Sequence, residues 1–280
     1  MKTILITGAT SGIGYEASIV LAKEGHRVVM VGRDQAKTER CVNEVKQKSG
    51  ATNVEYLLGD FASQKSVRQL AANYLAKYDR LDVLVNNAGT VFNERSVTGD
   101  GIESTFATNH LGYFLLTTLL LDLLIKSAPA RIVVVASTGH YRGTMDFSDL
   151  GFEKGGYGIM KAYTRSKLAN VLMTRSLMKR LEGKNVTVNA LHPGAVATSI
   201  WTGAPGWSQP ILAVVKSLFM ISPQEGARTI TYLATSPEVA GQTGLYFEKN
   251  KPRTPARLAR DEALAEQLWQ RSEELVRPSA

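Results

Sequence analysis

The stretch ILITGATSGIGYEA at residues 4–17 joins a short apolar run to a helical pattern through a turn that holds three glycines. Gly8, Gly12 and Gly14 remove side chains where the chain changes direction, so a ligand can approach the backbone N–H groups closely. The start of the following helix adds a favourable field for a phosphate group. The turn predicts a nucleotide site in an α/β fold, although three glycines can also form a simple tight turn between a strand and a helix.

Short apolar runs alternate with helical patterns along the rest of the chain. We predict strands at residues 4–6, 27–31, 54–58, 83–85, 132–135, 186–191 and 245–247. We predict helices at residues 13–24, 66–78, 101–125, 162–181 and 223–234, and an amphipathic helix within about 255–276. Nearly unbroken apolar strands are typical of a parallel sheet that helices cover on both faces. The pattern predicts one α/β domain over residues 1–280, with a doubly wound sheet of about seven strands and a ligand site at their carboxyl ends.

Composition narrows the classes of protein that fit. The chain is 44% hydrophobic and 21% charged, which is ordinary for a globular domain, and the single Cys41 excludes an internal disulfide. The N-terminus enters a strand directly, so we expect no signal peptide and a cytoplasmic location. The longest apolar stretch, 111–125, is too short to span a bilayer and contains Asp122, so we expect no transmembrane segment. The histidines lack ligand spacing with acids or cysteines, so we expect no metal.

The formal net charge of +8 is concentrated in one predicted helix. Residues 161–184 contain seven lysines and arginines but one glutamate. This pattern fits a solvated helix face or, alternatively, a surface for a partner, a membrane or a nucleic acid. Aromatic residues are not interleaved with the charges and no nucleic-acid motif accompanies them, so we favour the solvated face and expect no nucleic-acid partner.

A second motif, NNAG at residues 86–89, follows the strand predicted at 83–85. With the T-G-x3-G-x-G spacing of the first turn, it resembles the short-chain dehydrogenase/reductase family, from residue 3 to about 247. The resemblance implies a Rossmann-type fold that binds NAD or NADP. Asp60 would contact the adenine ring, Asn86 would hold the central strands, and the loop LHPGAVATSI at 191–200 would close over the nicotinamide. The implied cofactor-binding residues are Gly8, Thr10, Ser11, Gly12, Ile13, Gly14, Arg33, Asp60, Phe61, Asn87, Ala88, Gly89, Tyr163, Lys167, Pro193, Gly194, Val196 and Thr198.

A candidate catalytic group lies in AYTRSKLAN, where Tyr163 and Lys167 are four residues apart and project from one helix face. A tyrosine with a pKa near 10 is a poor acid–base at neutral pH, and a nearby ammonium favours the phenolate. Ser137 ends a strand, where its hydroxyl can orient a carbonyl and stabilise charge on its oxygen. The resemblance implies that Ser137 and Tyr163 act with Lys167 in catalysis. It also implies that Asn109 of ATNHLG bends a helix and holds a water in a proton path.

The stretch VVMVGRDQ at 28–35 bears on the choice of cofactor. Asp34 lies 22 residues after Gly12, close to the usual spacing for an acid that holds the ribose of NAD. The resemblance places the deciding position at Gly32 instead, where a glycine leaves room for the 2′-phosphate of NADP. Arg33 can then bind that phosphate with two donors, while Asp34 caps the next helix. We therefore expect NADP(H) to be preferred and NAD(H) to be possible.

The spacing of 26 residues between Ser137 and Tyr163 is about twice that of simpler family members, and the added segment resembles that of the retinol-dehydrogenase-like branch. This implies a lipophilic aldehyde, ketone or secondary alcohol as substrate, with His140 near the mouth of its site and His192 in a structural role. Apolar residues at 200–221 fit a substrate lid within about 195–225, which we favour, and alternatively a dimer surface or a membrane contact.

Three functions of different class follow. The first is an NADP-dependent oxidoreductase, and the second is a non-catalytic nucleotide-binding regulator on the same fold, for which loss of Ser137, Tyr163 or Lys167 would be the signature. All three residues are present. The third is a nucleic-acid or membrane-surface protein that uses residues 161–184. The oligomeric state stays open between monomer and homo-oligomer, because the helix from Asn109 to Ile125 often forms the family's dimer interface and the longer segment could obstruct it.

Overall fold

Eight strands form one sheet in the order β3-β2-β1-β4-β5-β6-β7-β8, in a computed structural model that describes residues 1–194 and 221–278. Strands β1 to β7 are parallel, and β8 is antiparallel to β7. The strands are β1 Thr3–Thr7, β2 Arg27–Gly32, β3 Val54–Leu58, β4 Val83–Asn86, β5 Ala130–Val135, β6 Val186–His192, β7 Tyr246–Glu248 and β8 Lys251–Arg253. The helices are α1 Gly12–Lys23, α2 Gln35–Ser49, α3 Gln64–Lys77, α4 Ser104–Phe106, α5 Gly112–Leu119, α6 Leu121–Lys126, α7 Ile159–Arg180, α8 Pro223–Thr235 and α9 Glu262–Leu275.

Alternate residues of each strand enter two separate cores. On β1, Leu5 faces the core beneath α3, α5 and α7, whereas Ile4 and Ile6 face the core beneath α1, α2 and α8. All three side chains are fully buried, as the period of two in a strand requires when helices cover both faces. The doubly wound parallel sheet that the sequence predicts is thereby confirmed.

The seven predicted strands are all present, with ends that differ from the prediction by at most two residues. The eighth strand, Lys251–Arg253, escaped prediction because its three side chains are exposed and its centre is Pro252. Such a strand carries no apolar alternation, and proline is tolerated at a sheet edge because only one side must pair.

The prediction of one continuous helix at 101–125 is wrong. The segment begins with α4, passes through a π-helical turn at Ala107–Leu111, and continues as α5 and α6. The π-helical turn contains Asn109, whose side chain bonds to the backbone of Thr90 in a neighbouring loop. A hydrogen bond from outside the helix thus holds the extra residue in place, as is common for π-helical turns near functional sites.

The prediction that residues 161–184 form a solvated basic face is wrong for two of the seven cations but correct for the four that are exposed, Lys161, Lys179, Arg180 and Lys184. Arg165 and Lys167 are buried within the domain. Arg175 and Lys179 pair with Glu262 of α9 at 2.9 and 2.6 Å, and Arg180 pairs with Glu266 of the same helix at 2.9 Å. The C-terminal helix therefore neutralises much of the charge that the sequence suggested for a partner.

Helix α9 docks across α7 and reaches α5, where the rings of Phe114 and Trp269 lie 4.7 Å apart. Gln64 and Arg68 of α3 donate to the carbonyls of Leu275 and Val276 at its carboxyl end. The face that α5 and α7 would offer to a second copy is therefore partly covered. Within residues 1–194 and 221–278, none of the helices combines the length and apolarity needed to cross a bilayer.

Candidate active site

The glycine-rich turn connects β1 to α1 and contacts the end of β4. Gly8 has a φ of +64°, and a Cβ there would lie 2.7 Å from the Cα of Ala88. A Cβ on Gly14 would lie 2.6 Å from the carbonyl oxygen of Gly8. Both positions therefore require glycine, the first for its backbone angle and its close approach, the second for close approach alone.

Thr7 fastens this turn to the NNAG motif. Its hydroxyl oxygen accepts from the backbone N–H groups of Asn87 and Ala88 at 2.8 and 2.9 Å and lies 3.2 Å from the carbonyl of Val85. The Asn87 side-chain amide donates to the carbonyls of Thr7 and Gly8, while its Oδ1 is buried without a partner among the described residues. That unpaired acceptor lies in the wall of a cleft, where a ligand donor can satisfy it.

The cleft has a volume of about 850 Å³ and lies at the carboxyl ends of the central strands, as the fold predicts. The predicted site residues that line it are Gly8, Thr10, Ser11, Gly12, Ile13, Arg33, Asp60, Phe61, Asn87, Ala88, Gly89, Ser137, Tyr163, Lys167, Pro193 and Gly194. Gly14 and Asn109 lie behind its walls rather than in them. Val196, Thr198 and most of the predicted lid at 195–225 lie outside the described residues.

One end of the cleft is formed by the turn after β2. Asp34 is the N-cap of α2, and its carboxylate accepts from the N–H of Lys37 at 2.7 Å. A Cβ on Gly32 would collide with the Thr38 hydroxyl and with the methyl group of Thr10. Position 32 therefore has no room for a carboxylate, and exposed Arg33 is the charged side chain that lines the cleft beside it.

Tyr163 and Lys167 of α7 lie on the wall at the other end. The Lys167 ammonium donates to the carbonyl of Val135 at 3.1 Å and lies 5.7 Å from the centre of the Tyr163 ring. Burial lowers the pKa of Lys167 to about 8. Burial also raises the pKa of Tyr163, and the polar Ser137 side chain beside it opposes that rise. The phenol is therefore protonated at neutral pH, and the lowering of its pKa by the ammonium together with a bound nicotinamide ring stays a prediction.

Ser137 follows β5 and caps a short 3₁₀ turn at Thr138–Arg142, with its hydroxyl accepting from the N–H of Gly139 at 3.0 Å. A Cβ on Gly139 would lie 3.4 Å from both the Ser137 hydroxyl and the Tyr163 ring. Gly139 therefore keeps a narrow space between the two side chains open. Gly139 was not among the predicted site residues, because one glycine in a turn carries no signal for such a contact.

Asn109 supports this wall from behind. Its Oδ1 accepts from the N–H of Thr90 at 2.8 Å, and its amide donates to the Thr90 carbonyl and the Ser166 hydroxyl. A Cβ on Gly89 would lie 3.3 Å from Asn109 Oδ1 and 3.6 Å from Lys167 Nζ. The residues Asn109 and Lys167, 58 positions apart in the chain, thus flank the same glycine of the NNAG motif.

The two histidines near the cleft differ in position. His140 is fully buried and does not line the cleft, so its predicted place at the substrate mouth is wrong. Its Nδ1 lies 2.6 Å from the Ser137 carbonyl and its Nε2 accepts from the N–H of Ala256, which fixes the ring inside the protein. His192 does line the cleft, and burial lowers its pKa to about 4, so it is uncharged at neutral pH. Over the described residues there is no group of three or more metal-ligating side chains.

Known proteins resemble this chain over most of its length. The family model for short chain dehydrogenases matches residues 2–208. Human retinol dehydrogenase 13 is 41% identical over 279 residues, which cover 98% of this chain and 84% of the relative. Mouse retinol dehydrogenase 14 is 44% identical over 287 residues, covering 98% and 86%.

Solved structures also resemble this chain over most of its length. An uncharacterised protein from Mycobacterium paratuberculosis superimposes with a TM-score of 0.79 at 32% identity, covering 99% of this chain and 93% of that chain. The NADP complex of RhlG from Pseudomonas aeruginosa superimposes with a TM-score of 0.68 at 27% identity, covering 88% and 93%.

Proposed function

Because the chain belongs to the short chain dehydrogenase family, we propose that it is an NADP(H)-dependent oxidoreductase acting on lipophilic aldehydes, ketones or secondary alcohols. The observation that carries the proposal is the arrangement of one cleft. Ser137, Tyr163 and Lys167 line one end of it, and the glycine turn with Arg33 lines the other. Such a cleft can hold an extended dinucleotide with its reactive ring at the first group and its phosphates at the second.

The residues present fit NADP. The turn at Gly8 leaves the first N–H groups of α1 facing the cleft, and the Ser11 side chain at the N-cap makes no capping bond there among the described residues. A pyrophosphate would be held at this helix start, and the unpaired Oδ1 of Asn87 would accept from the adenosine side. When bound, the cofactor supplies or receives the hydride.

The preference for NADP(H) rests on residues 32–34. A carboxylate at position 32 would repel a 2′-phosphate. The close contacts with Thr38 and Thr10 leave no space for a side chain that carries such a carboxylate. Asp34 is occupied as a helix cap. Arg33 can bind a phosphate through two N–H donors and keeps its charge at any working pH.

The protein's own groups would carry out the proton transfer. In reduction, Tyr163 donates its proton to the carbonyl oxygen, and in oxidation it removes the hydroxyl proton. Ser137, which lines the cleft beside Tyr163, orients that oxygen and stabilises its developing charge. Lys167 brings an ammonium close to the phenol, which favours the phenolate during turnover. Asn109 would complete the relay from behind Gly89.

The substrate class follows from the relatives and from the cleft. The similar proteins include retinol dehydrogenases, whose name indicates a lipophilic alcohol. Beside Tyr163 the cleft is lined by Phe92 and Met160, the latter 49% exposed, together with Thr138 and Arg142. Apolar side chains at this end favour a lipophilic carbonyl compound.

A panel of aldehydes and ketones of graded chain length, assayed by NADPH and NADH consumption, tests the proposal. We expect NADPH oxidation that depends on a long-chain or aromatic aldehyde and is much slower with NADH. The opposite result would be a purified protein that binds the cofactor but oxidises neither NADPH nor NADH with any member of the panel and does not reduce NADP with the matching alcohols. This result would favour the non-catalytic regulator.

A further inference from the structure

A buried polar side chain, Asn170, lies behind the catalytic wall and was not among the predicted site residues. It follows Lys167 by three positions on α7 and is fully buried. Its Nδ2 donates to the carbonyl of Asn109 at 2.9 Å and to the carbonyl of Val135 at 3.3 Å. The Val135 carbonyl is the same oxygen that accepts from the Lys167 ammonium. Asn170 therefore contacts both supports of the proton relay.

The remaining polar atoms fix the orientation of the Asn170 amide. Because Nδ2 donates to two carbonyls, Oδ1 is left as an acceptor, and it lies 3.3 Å from Nδ1 of His110. His110 therefore carries its proton on Nδ1, and its Nε2 lies 3.0 Å from the Ser272 hydroxyl of α9, which donates to the carbonyl of Leu268. Burial lowers the pKa of His110 to about 4, so the ring is neutral at physiological pH.

A buried asparagine can simply satisfy polar atoms in a core. Two features go beyond that role here. Both carbonyls belong to backbone that carries predicted relay residues: Asn109 itself in the π-helical turn, and Val135 two positions before Ser137. In addition, Asn170 and Lys167 both donate to the Val135 carbonyl, so the hydrogen bond from each weakens the bond from the other.

We propose that Asn170 is a positioning residue, which holds the π-helical turn at Asn109 against β5 and shares the Val135 carbonyl so that the Lys167 ammonium stays directed toward the cleft. The inference rests on the proposed function, since positioning matters only if Lys167 works with Tyr163. Asn170 touches neither the cofactor nor the substrate, and it acts through Lys167 and Asn109.

The ionisable groups near Lys167 allow the effect of Asn170 on the Lys167 ammonium to be measured. The centre of the Tyr163 ring on the same helix lies 5.7 Å from Nζ, and that of Tyr113 on α5 lies 5.9 Å away. Burial raises the pKa of both tyrosines, so both are uncharged at neutral pH. Asn170→Asp would place a carboxylate beside the oxygen that Lys167 uses, where it would favour the ammonium.

The test compares Asn170→Asp and Asn170→Leu with Thr174→Val as the matched control. Thr174 lies one turn further along α7, is equally buried, and donates only to the Asn170 carbonyl of its own helix. The pKa of Lys167 is measured in the full-length protein by ¹³Cε NMR titration, with the Lys167→Met spectrum identifying the signal. The kcat and the KM for NADPH are measured from pH 6 to 10 with an aldehyde from the panel.

For Asn170→Asp we expect the Lys167 pKa, and the limb of the kcat profile that follows it, to rise by about one unit. For Asn170→Leu we expect a loss of about tenfold or more in kcat with the KM for NADPH within twofold. Thr174→Val is expected to change neither. An unshifted Lys167 pKa in Asn170→Asp, or a kcat loss in Asn170→Leu that Thr174→Val matches, would overturn the inference. A wild-type protein that turns over no substrate would refute the proposed function instead, and the NMR titration would still test the contact.

Discussion

The ammonium of Lys167 donates to the backbone carbonyl of Val135 across 3.1 Å, and this bond ties α7 to the end of β5 two residues before Ser137. Ser137 follows β5 and Tyr163 lies on α7, and both side chains line the cleft. The relative position of the two side chains is therefore set by the fold rather than by the substrate. Such preorganisation is what makes electrostatic stabilisation of a transition state effective.

Burial of the Lys167 charge should cost stability in a pH-dependent way. The folded pKa is about 8 and the unfolded pKa is near 10.4, so below pH 8 the ammonium is charged in both states and its desolvation fully opposes folding. Between pH 8 and 10.4 the folded protein loses the proton first, and this cost is relieved. We expect Lys167→Met to increase the free energy of unfolding by about 1–3 kcal/mol at pH 7 and by much less near pH 10. Urea unfolding at both pH values checks this, and an equal effect at both would contradict it.

Arg33 should decide between the two cofactors. Charge-assisted hydrogen bonds to a phosphate are worth about 1.5–3 kcal/mol, so Arg33→Leu is expected to raise the KM for NADPH by about 10- to 100-fold. The KM for NADH should change little, because NADH has no 2′-phosphate. Arg40→Leu, which removes an exposed arginine of α2 that does not line the cleft, is the matched control. Equal losses with both cofactors would show that Arg33 does not recognise the phosphate.

An NAD-type acid at position 32 should not rescue NADH use on its own. Gly32→Asp must displace the Thr38 hydroxyl and the Thr10 methyl group, both close to the backbone and unable to swing far. We therefore expect Gly32→Asp with Arg33→Ile to weaken both cofactors. The added change Thr38→Ala should be needed before NADH is preferred. Equilibrium titration of both cofactors measures this, and a preference for NADH without the third change would show that the turn yields easily.

Gly8 and Gly25 offer a matched pair for the glycine turn. Both have positive φ, +64° and +83°, but a Cβ on Gly8 meets the Ala88 backbone whereas one on Gly25 meets nothing within 4 Å. We expect Gly25→Ala to cost about 1 kcal/mol of stability through backbone strain alone, and Gly8→Ala at least twice as much. Chemical denaturation of both variants compares them. Equal costs would mean that the turn moves away from Ala88 freely.

Much of the fold was predictable because local patterns and burial agree. Strands such as Thr3–Thr7 and Val83–Asn86 are short apolar runs between helical patterns, and a parallel sheet buries both of their faces. The cofactor turn and the Tyr163–Lys167 pair were predictable for a similar reason. Each depends on residues close together in the chain, whose spacing fixes their geometry.

The parts that escaped prediction depend on contacts between distant residues. The resemblance implies that Asn109 bends its helix, but nothing near it in the sequence indicates that the bend is a π-helical turn bonded to Thr90. The role of Asn170 depends on carbonyls 61 and 35 positions away, and the charge of α7 is neutralised by α9 more than 80 positions later. Hydrogen bonds and ion pairs between residues so far apart in the chain produce no periodic pattern in the sequence.

Tyr163 transfers the proton in the proposed mechanism, and the substitution Tyr163→Phe tests this role. The variant removes only the phenolic oxygen from a partly buried ring, so we expect the fold and the dissociation constant for NADPH to stay within about threefold of wild type. Aldehyde-dependent oxidation of saturating NADPH should fall by about a thousandfold or more, since general acid catalysis contributes roughly 10²–10⁴-fold. A variant that binds NADPH normally and turns over at the wild-type rate would contradict the account.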